Sequence, residues 1–401
     1  MKVKQTVIVI SGLIIVLLIW SCGTADHPAK TPRFSEHIID DNAHGTASLH
    51  ACDVDGDGDV DILGAVLEES MVVYWRNDGG NPIVWVRQVV DSSFSNAISV
   101  YAADLDGDDD NDVVAAAATG DEIAVWYNGG GANITWTKQT VNKGYDFAHE
   151  VYAKDVDLDG DNDILAASTH LNTIAWWRND GNEPIVWTEQ VIDSNFAMAK
   201  SVRVADFDGD GHLDVVGAAL GGNEVAWWRN TGGDSIAWTK SVIDDHFEGA
   251  HRVQAVDMDN DGDMDVLAAA YGELHPPPDR RSDDGHMVAW WRSDGGDPLT
   301  WTKQIIGRNF RRACIAQAAD LDGDGDKDVV GTAQDGNEVA LWLNDAGSPI
   351  VWTRLIVDDA FTRVWPLYVC DVDGDGDQDI IAGSGWKGMN TVKWWENRTR
   401  D

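Results

Sequence analysis

The chain has 401 residues, 43% of them apolar, and a formal charge of −40 from 69 acidic and 29 basic side chains. That composition supports a large core, and so negative a surface repels phosphate backbones and argues against nucleic acid as a partner. Four cysteines without zinc-like spacing exclude a disulfide framework and a structural zinc site.

The N-terminus begins with a basic stretch, Met1-Lys2-Val3-Lys4, followed by an apolar run from Thr6 to Trp20. The run suits the hydrophobic part of an export signal and is short for a spanning helix. It ends Ile19-Trp20-Ser21-Cys22-Gly23, similar to a bacterial lipoprotein signal in which the cysteine is lipidated. That resemblance implies a signal over residues 1–22, lipidation at Cys22, and attachment to a bacterial outer membrane or cell surface. A plain secretory signal and an uncleaved anchor are the alternatives. All three export the protein to where calcium is plentiful. Residues 23–33 contain two prolines and read as a flexible tether.

One nine-residue stretch then recurs: Asp53-Val54-Asp55-Gly56-Asp57-Gly58-Asp59-Val60-Asp61. Further copies begin at Asp104, Asp155, Asp206, Asp257, Asp320 and Asp371, at steps of 51 residues except for one of 63. A period of that length sets the architecture before any local assignment. Each repeat has four strand-like segments, separated by Asn, Gly, Asp and Pro clusters. Examples are Ser99–Ala103 before the acidic loop, Val113–Ala116 after it, Glu224–Arg229 and Ile236–Ile243. The pattern predicts an all-β fold, a seven-bladed β-propeller with four antiparallel strands per blade. Phe34–Asp40 aligns with the fourth-strand segment Trp352–Asp358, whereas the last repeat stops after its third segment at Asn397. Residues 34–401 therefore read as one ring, closed by the N-terminal strand completing the last blade.

Tryptophans fall into columns within the repeat. Trp75, Trp126, Trp177, Trp228, Trp291, Trp342 and Trp395 share one position, and Trp85, Trp136, Trp187, Trp238, Trp301 and Trp352 another. A third holds Trp176, Trp227, Trp290 and Trp394. Large rings at these positions are expected to pack between blades. Cys52 and Cys370 share a slot in the first and last repeats, which are neighbours in a ring. A disulfide across the closure is one reading; two small residues in a slot filled elsewhere by Ala, Lys or Val is the other.

The acidic loops carry 35 of the 69 acidic residues. Like charges ~4 Å apart cost about 1 kcal/mol per pair even in water. Position one holds Asp53, Asp104, Asp155, Asp206, Asp257, Asp320 and Asp371. Position three holds Asp55, Asp106, Asp157, Asp208, Asp259, Asp322 and Asp373, and position five Asp57, Asp108, Asp159, Asp210, Asp261, Asp324 and Asp375. Position nine holds Asp61, Asp112, Asp163, Asp214, Asp265, Asp328 and Asp379. At position seven the backbone carbonyl is the candidate ligand, from Asp59, Asp110, Asp161, His212, Asp263, Asp326 and Asp377. Hard oxygen donors in a flexible loop suit calcium better than magnesium. An EF-hand is excluded, because position twelve of the first loop is Gly64 and the flanks are strands. Leu158 at position four of the third loop carries no expected cost, whereas Asp109 replaces the turn glycine of the second.

With its loop between the first two strands of each blade, the motif Asp-x-Asp-x-Asp-Gly-x-x-Asp resembles the FG-GAP/VCBS repeats of integrin α-subunit propellers and of bacterial exported proteins. The resemblance covers Phe34 to Asp401. It implies calcium held through positions one, three, five, seven and nine, with up to seven ions. Seven loaded loops favour the bacterial type, and nothing matches the integrin's partner-binding insertions.

Where the repeat breaks down, specificity is expected. Six positions before each first aspartate stand Ala47, Ile98, His149, Lys200, His251, Cys314 and Trp365. Arg252, Arg311, Arg312 and Arg363 lie nearby, with Glu69, His170, Trp386 and Lys387 in the second-to-third links and an insertion over Glu273–Arg281 in the fifth repeat. The face opposite the acidic loops is thus expected to bind a ligand through His149, Lys200, His251, Arg252, Arg311, Arg312, Arg363, Trp365 and Trp386. Arginines pair carboxylates and tryptophans stack on sugars, so an acidic glycan is the expected partner of a monomeric binding or adhesion module. The alternative is a carbohydrate-active enzyme such as a polysaccharide lyase, with His149 or His251 as base and Arg312 neutralising the uronate. From the strained turn at Asp109, the second loop is predicted to be the weakest metal site. Calcium titration followed by site-resolved occupancy checks this, and a second loop filling as readily as the other six contradicts it.

Overall fold

A computed structural model describes residues 6–10, 13–17 and 30–399, apart from 132, 233–235, 273–284, 348 and 386–387. Cys22, Trp386, Lys387 and the insertion over Glu273–Arg281 lie outside the described residues. Thr6–Ile10 and Leu13–Leu17 pair as a separate two-stranded antiparallel sheet.

Seven four-stranded sheets follow, six of them taken in simple sequential order and the seventh completed from the start of the chain. Blade 1 comprises Thr46–Cys52, Asp61–Val66, Met71–Asn77 and Trp85–Asp91. Blade 7 comprises Val364–Cys370, Asp379–Ser384 and Val392–Asn397, with Phe34–Asp40 as its fourth strand. Phe34 pairs with Asn397 and His37 with Trp394, so the predicted closure is observed. The ring forms because the second strands are continuous small or β-branched runs, buried on both faces, as in Asp112–Ala117. The fourth strands are exposed or half-buried along most of their length and form the wet outer edge.

Each core cluster lies between two adjacent blades. One joins Leu63, Val72 and Tyr74 of blade 1 to Val100, Val113 and Trp126 of blade 2. The first tryptophan column is buried throughout the ring, whereas the column that starts the fourth strands is half-buried. A further aromatic column sits in the links between blades: Phe94, Tyr145, Phe196, Phe247, Phe310 and Phe361. Phe94 meets Trp126 edge-on, with ring centroids 4.9 Å apart, and Lys138 lies over both rings. In blade 1 the link carries Ala43 instead, and Trp75 Nε1 donates to Asp40 Oδ2 at 2.8 Å.

Acidic loops and third-to-fourth turns share one face. A Cβ added at Gly130, whose φ is +66°, would lie 2.5 Å from Asp110 Oδ2. That turn therefore needs glycine for both space and conformation. Cys52 and Cys370 pack in the same cluster as free thiols, so the closure carries no disulfide.

A chain starting at residue 41 lacks the closing strand and leaves the edge of Val392–Asn397 open. We expect it to melt well below a chain starting at residue 30 and to aggregate on heating. Equal thermal unfolding of the two by circular dichroism would contradict the closure argument.

Candidate functional site in seven acidic loops and an axial channel

Each loop is shaped by its own carboxylates. In the first, Asp53 accepts the Gly56 and Gly58 N–H groups at 2.8 and 2.9 Å, and Asp57 accepts the Asp59 N–H at 2.9 Å. Asp61 is fully buried and accepts the Val54 and Asn77 N–H groups at 3.0 and 2.8 Å. Position three is different. One carboxylate oxygen of each of Asp55, Asp106, Asp157, Asp259 and Asp322 is buried with no hydrogen-bond partner. A buried anionic oxygen without a donor is costly and is rarely left so in a folded protein.

These oxygens point into carboxylate clusters. Asp53, Asp55 and Asp57 bring ligand atoms within 4.8 Å of one another, as do Asp104, Asp106 and Asp108, and Asp155, Asp157 and Asp163. Burial, and then the neighbouring Asp324, raises Asp322 to about 6. Burial likewise raises Asp61 to about 7 and Asp163 to about 8, against the backbone hydrogen bonds that lower them. The arrangement is one that a hard cation would relieve, and its all-oxygen donor set fits calcium.

Arginines missed in the sequence reading reinforce four of the loops. Each follows the first-column tryptophan on the third strand. Arg178 Nε lies 2.6 Å from Asp157 Oδ2 and Nη2 2.9 Å from Asp159 Oδ2. Arg292 repeats this on Asp259 and Asp261 at 2.6 and 2.8 Å, and Arg229 on Asp208 and Asp210 at 2.5 and 3.2 Å. Arg76 lies 3.9 Å from Asp55 and bonds mainly to Asp78. Arg178 and Arg292 take the outer oxygen of position three and leave the inner one unpartnered, so they orient the carboxylate without occupying the cluster. Tyr127, Leu343 and Glu396 replace arginine in blades 2, 6 and 7.

Position four corrects one expectation. Its residue is left-handed in all seven loops, with φ between +58° and +79°, and in the third loop that residue is Leu158 at +60°. A leucine there strains the backbone by about 1–2 kcal/mol. Asn260, at +58° in the fifth loop, tolerates the conformation better. Asp109 is left-handed at +71°, as the missing glycine implied.

Among the residues expected to bind a ligand, three are buried instead of presented on a surface: His149, His251 and Arg252. His149 and His251 are buried, 1% and 3% exposed, in the mouth of the axial channel. Their ring centroids are 5.8 Å apart and lie 6.4 and 6.3 Å from the half-buried Trp365. Their Nδ1 atoms bond to the carbonyls of Lys200 and Cys314 at 3.0 and 2.9 Å, and burial leads in lowering both pKa values. They pack inward against one another and Trp365 instead of presenting a surface. Lys200 is half-buried, and burial, then Arg252, pushes it down to about 7. Arg312 and Arg363 share Asp335, the former at 3.1 Å. Arg311 is exposed. Arg252 is buried and points elsewhere, to Glu150.

Glu150 marks a second departure from the repeat, also missed. Five positions before each first aspartate, Ser48, Ser99 and Ser201 accept an N–H of the next blade's first strand. Glu150 stands in that series, accepts the Val202 N–H at 2.9 Å, and pairs with both Arg203, at 2.8 Å, and Arg252. Burial pushes its pKa up, but the two guanidiniums outweigh this and hold it low. Reading that column beside the one containing His149 would have exposed the anomaly.

Seven four-stranded blades, each with a carboxylate loop between its first two strands, define an acidic-loop β-propeller. The chain belongs to the FG-GAP-like repeat family, whose model matches residues 53–115, 155–217, 206–268 and 320–382. A search of curated protein sequences finds no match. Among solved structures, an Agrocybe aegerita lectin that recognises non-reducing terminal N-acetylglucosamine is similar at 20% identity and a TM-score of 0.56. The alignment covers 89% of this chain and 86% of the lectin. Virginiamycin B lyase from Staphylococcus aureus is similar at 10% identity and a TM-score of 0.59, over 91% of this chain and 99% of the lyase. At these identities the likeness is one of fold.

Leu158→Gly is expected to stabilise the protein by about 1 kcal/mol, and Asn260→Gly to change it by much less. Chemical denaturation of the two variants in the same buffer checks this. A neutral or destabilising Leu158→Gly contradicts the strain assignment.

Proposed function

We propose that this propeller binds calcium in its acidic loops and serves as an exported binding module, held to a membrane through lipidated Cys22. The single observation that carries the metal reading is the unpartnered, buried position-three oxygen, found in five loops. Loops 3 and 5 keep that oxygen unpartnered even with an arginine on the same carboxylate. Calcium would be held by the carboxylates of positions one, three, five and nine, with the position-seven carbonyl, in up to seven loops. It would supply charge neutralisation and hold the two strands of each turn in register.

Binding is favoured over catalysis by the fate of the candidate bases. His149 and His251 are buried and bonded to carbonyls, and Arg312 is paired with Asp335. A glycan remains the ligand class that the basic and aromatic residues near the axis suit best, and the lectin of similar fold supports the class alone.

Chelator-stripped protein should bind calcium in isothermal titration calorimetry and melt at a higher temperature once loaded. Each filled site adds about 2.7 kcal/mol at a hundredfold excess over its Kd. Asp106→Asn should remove one ion from the stoichiometry while the remaining sites still bind, and magnesium should stabilise far less. A melting temperature unmoved by calcium, with no measurable heat of binding, would overturn the metal reading.

A further inference from the structure

The axial channel contains a built polar cavity that the repeat does not require. It encloses about 170 Å³ and lies between the Glu150 and Arg252 pair and a wall of Tyr101, Tyr152, Tyr368 and His50. The wall is continuous: Tyr101 stands 4.2 Å from His50 and 4.8 Å from Tyr152, and Tyr368 5.0 Å from His50, between ring centroids. Arg203 lies over Tyr152 at 4.9 Å.

Two guanidiniums face one carboxylate here. Glu150 is saturated, with Oε1 on both arginines and Oε2 on the Val202 N–H. Arg252 is only 8% exposed, and its Nε has no partner. Gln317 Oε1, on the same cavity, has none either. His50 is held neutral at about 3, first by burial and then by Arg203. A net positive cavity at the axis of a chain of charge −40, with a spare buried donor and a spare acceptor, is unexplained by packing.

Depth gives the direction of entry. Glu150 and Arg252 are buried, whereas Tyr101, Tyr152, Arg203, Gln254 and Tyr368 are half-buried and lie towards the acidic loops along the first strands. The other end is shut by His149, His251 and Trp365. The mouth therefore opens on the same face as the acidic loops, not on the opposite one.

We propose that this cavity binds one uronate residue, its carboxylate on the Arg252 and Arg203 guanidiniums and its ring against the tyrosine wall. Guanidiniums match the planar carboxylate fork, and a ring of hydroxyls suits tyrosine hydroxyls and the amides of Gln254 and Gln317. A cavity near 150 Å³ holds one six-membered ring, so a polymer enters only by its end. The proposal rests on the binding-module reading but not on metal occupancy.

Calorimetric titration of the full chain in calcium with glucuronate and galacturonate tests it, with glucose, acetate and inorganic phosphate as comparisons. At least one uronate should bind ten times more tightly than any comparison. An oligogalacturonide binding more tightly than the monosaccharide identifies a chain end as the source, and equal affinity identifies the free sugar; either supports the cavity. The double variant Glu150→Ser/Arg252→Ser places at both positions the serine found in blades 1, 2 and 4, removes the two buried charges together, and leaves the half-buried Arg203 on the Val202 carbonyl and the Tyr152 ring. It should fold, keep its calcium response, and lose uronate affinity at least tenfold. Arg252→Lys keeps the charge but not the fork and should also lose affinity. Absence of uronate binding in the parent protein, acetate or phosphate binding as tightly, or full binding by the folded double variant would each overturn the proposal. If calcium still raises the melting temperature in those cases, the metal reading survives alone.

Discussion

In every blade the last aspartate of the acidic loop is fully buried and accepts backbone N–H groups from two distant places in the chain. Asp61 joins Val54 to Asn77, Asp163 joins Val156 to Asn179, and Asp379 joins Val372 to Asn397. One carboxylate thus ties the loop's start to the end of the third strand, across the second strand on which it sits. In three blades the asparagine extends the tie to the preceding blade: Asn128 Nδ2 donates to the Val54 carbonyl at 2.9 Å, and Asn179 and Asn397 Nδ2 to the Leu105 and Leu321 carbonyls at 2.8 Å. Blade geometry, ring geometry and loop geometry all converge on this residue.

The consequence is electrostatic. Burying a carboxylate beside several others is unfavourable, and burial raises these aspartates well above the usual carboxylate range. The chain answers in two ways. Arginines on the third strands neutralise the outer side of four loops, and in three of them, at Asp55, Asp157 and Asp259, the inner oxygen stays without a donor. The fold therefore has a mechanical reason to place acids together, independent of any ligand carried elsewhere on the ring.

The axis follows a different logic. Five positions before the first aspartate, blades 1, 2 and 4 carry serines that each bond one N–H of the next blade, whereas blades 5, 6 and 7 carry Arg252, Ile315 and Pro366. Glu150 keeps that bond and adds a charge, which draws in Arg203 and Arg252 from two further blades. The sequence reading followed the neighbouring column with His149, Lys200 and His251, and placed it on a surface. A β-bulge at this point in the first strand, between Ala148 and Glu150, breaks the simple alternation on which such a reading relies.

Fold class, blade count, closing strand and the composition of the acidic loops are all legible in the chain, because each is written as a repeat and repeats are read without coordinates. The sequence reading also marked Asp109 as a departure from a glycine turn. It gave Leu158 no cost, although glycine at that position in five other loops marks the left-handed turn as clearly as the glycines opposite Asp109 do. The aromatic column from Phe94 to Phe361 and the arginines over the loops were visible as letters, but their partners lie on other strands. The inward packing of His149 and His251, and a cavity mouth on the side of the acidic loops, emerge only from the assembled ring. Those outcomes depend on how seven first strands converge on one axis, where a side chain's surroundings come from several blades at once.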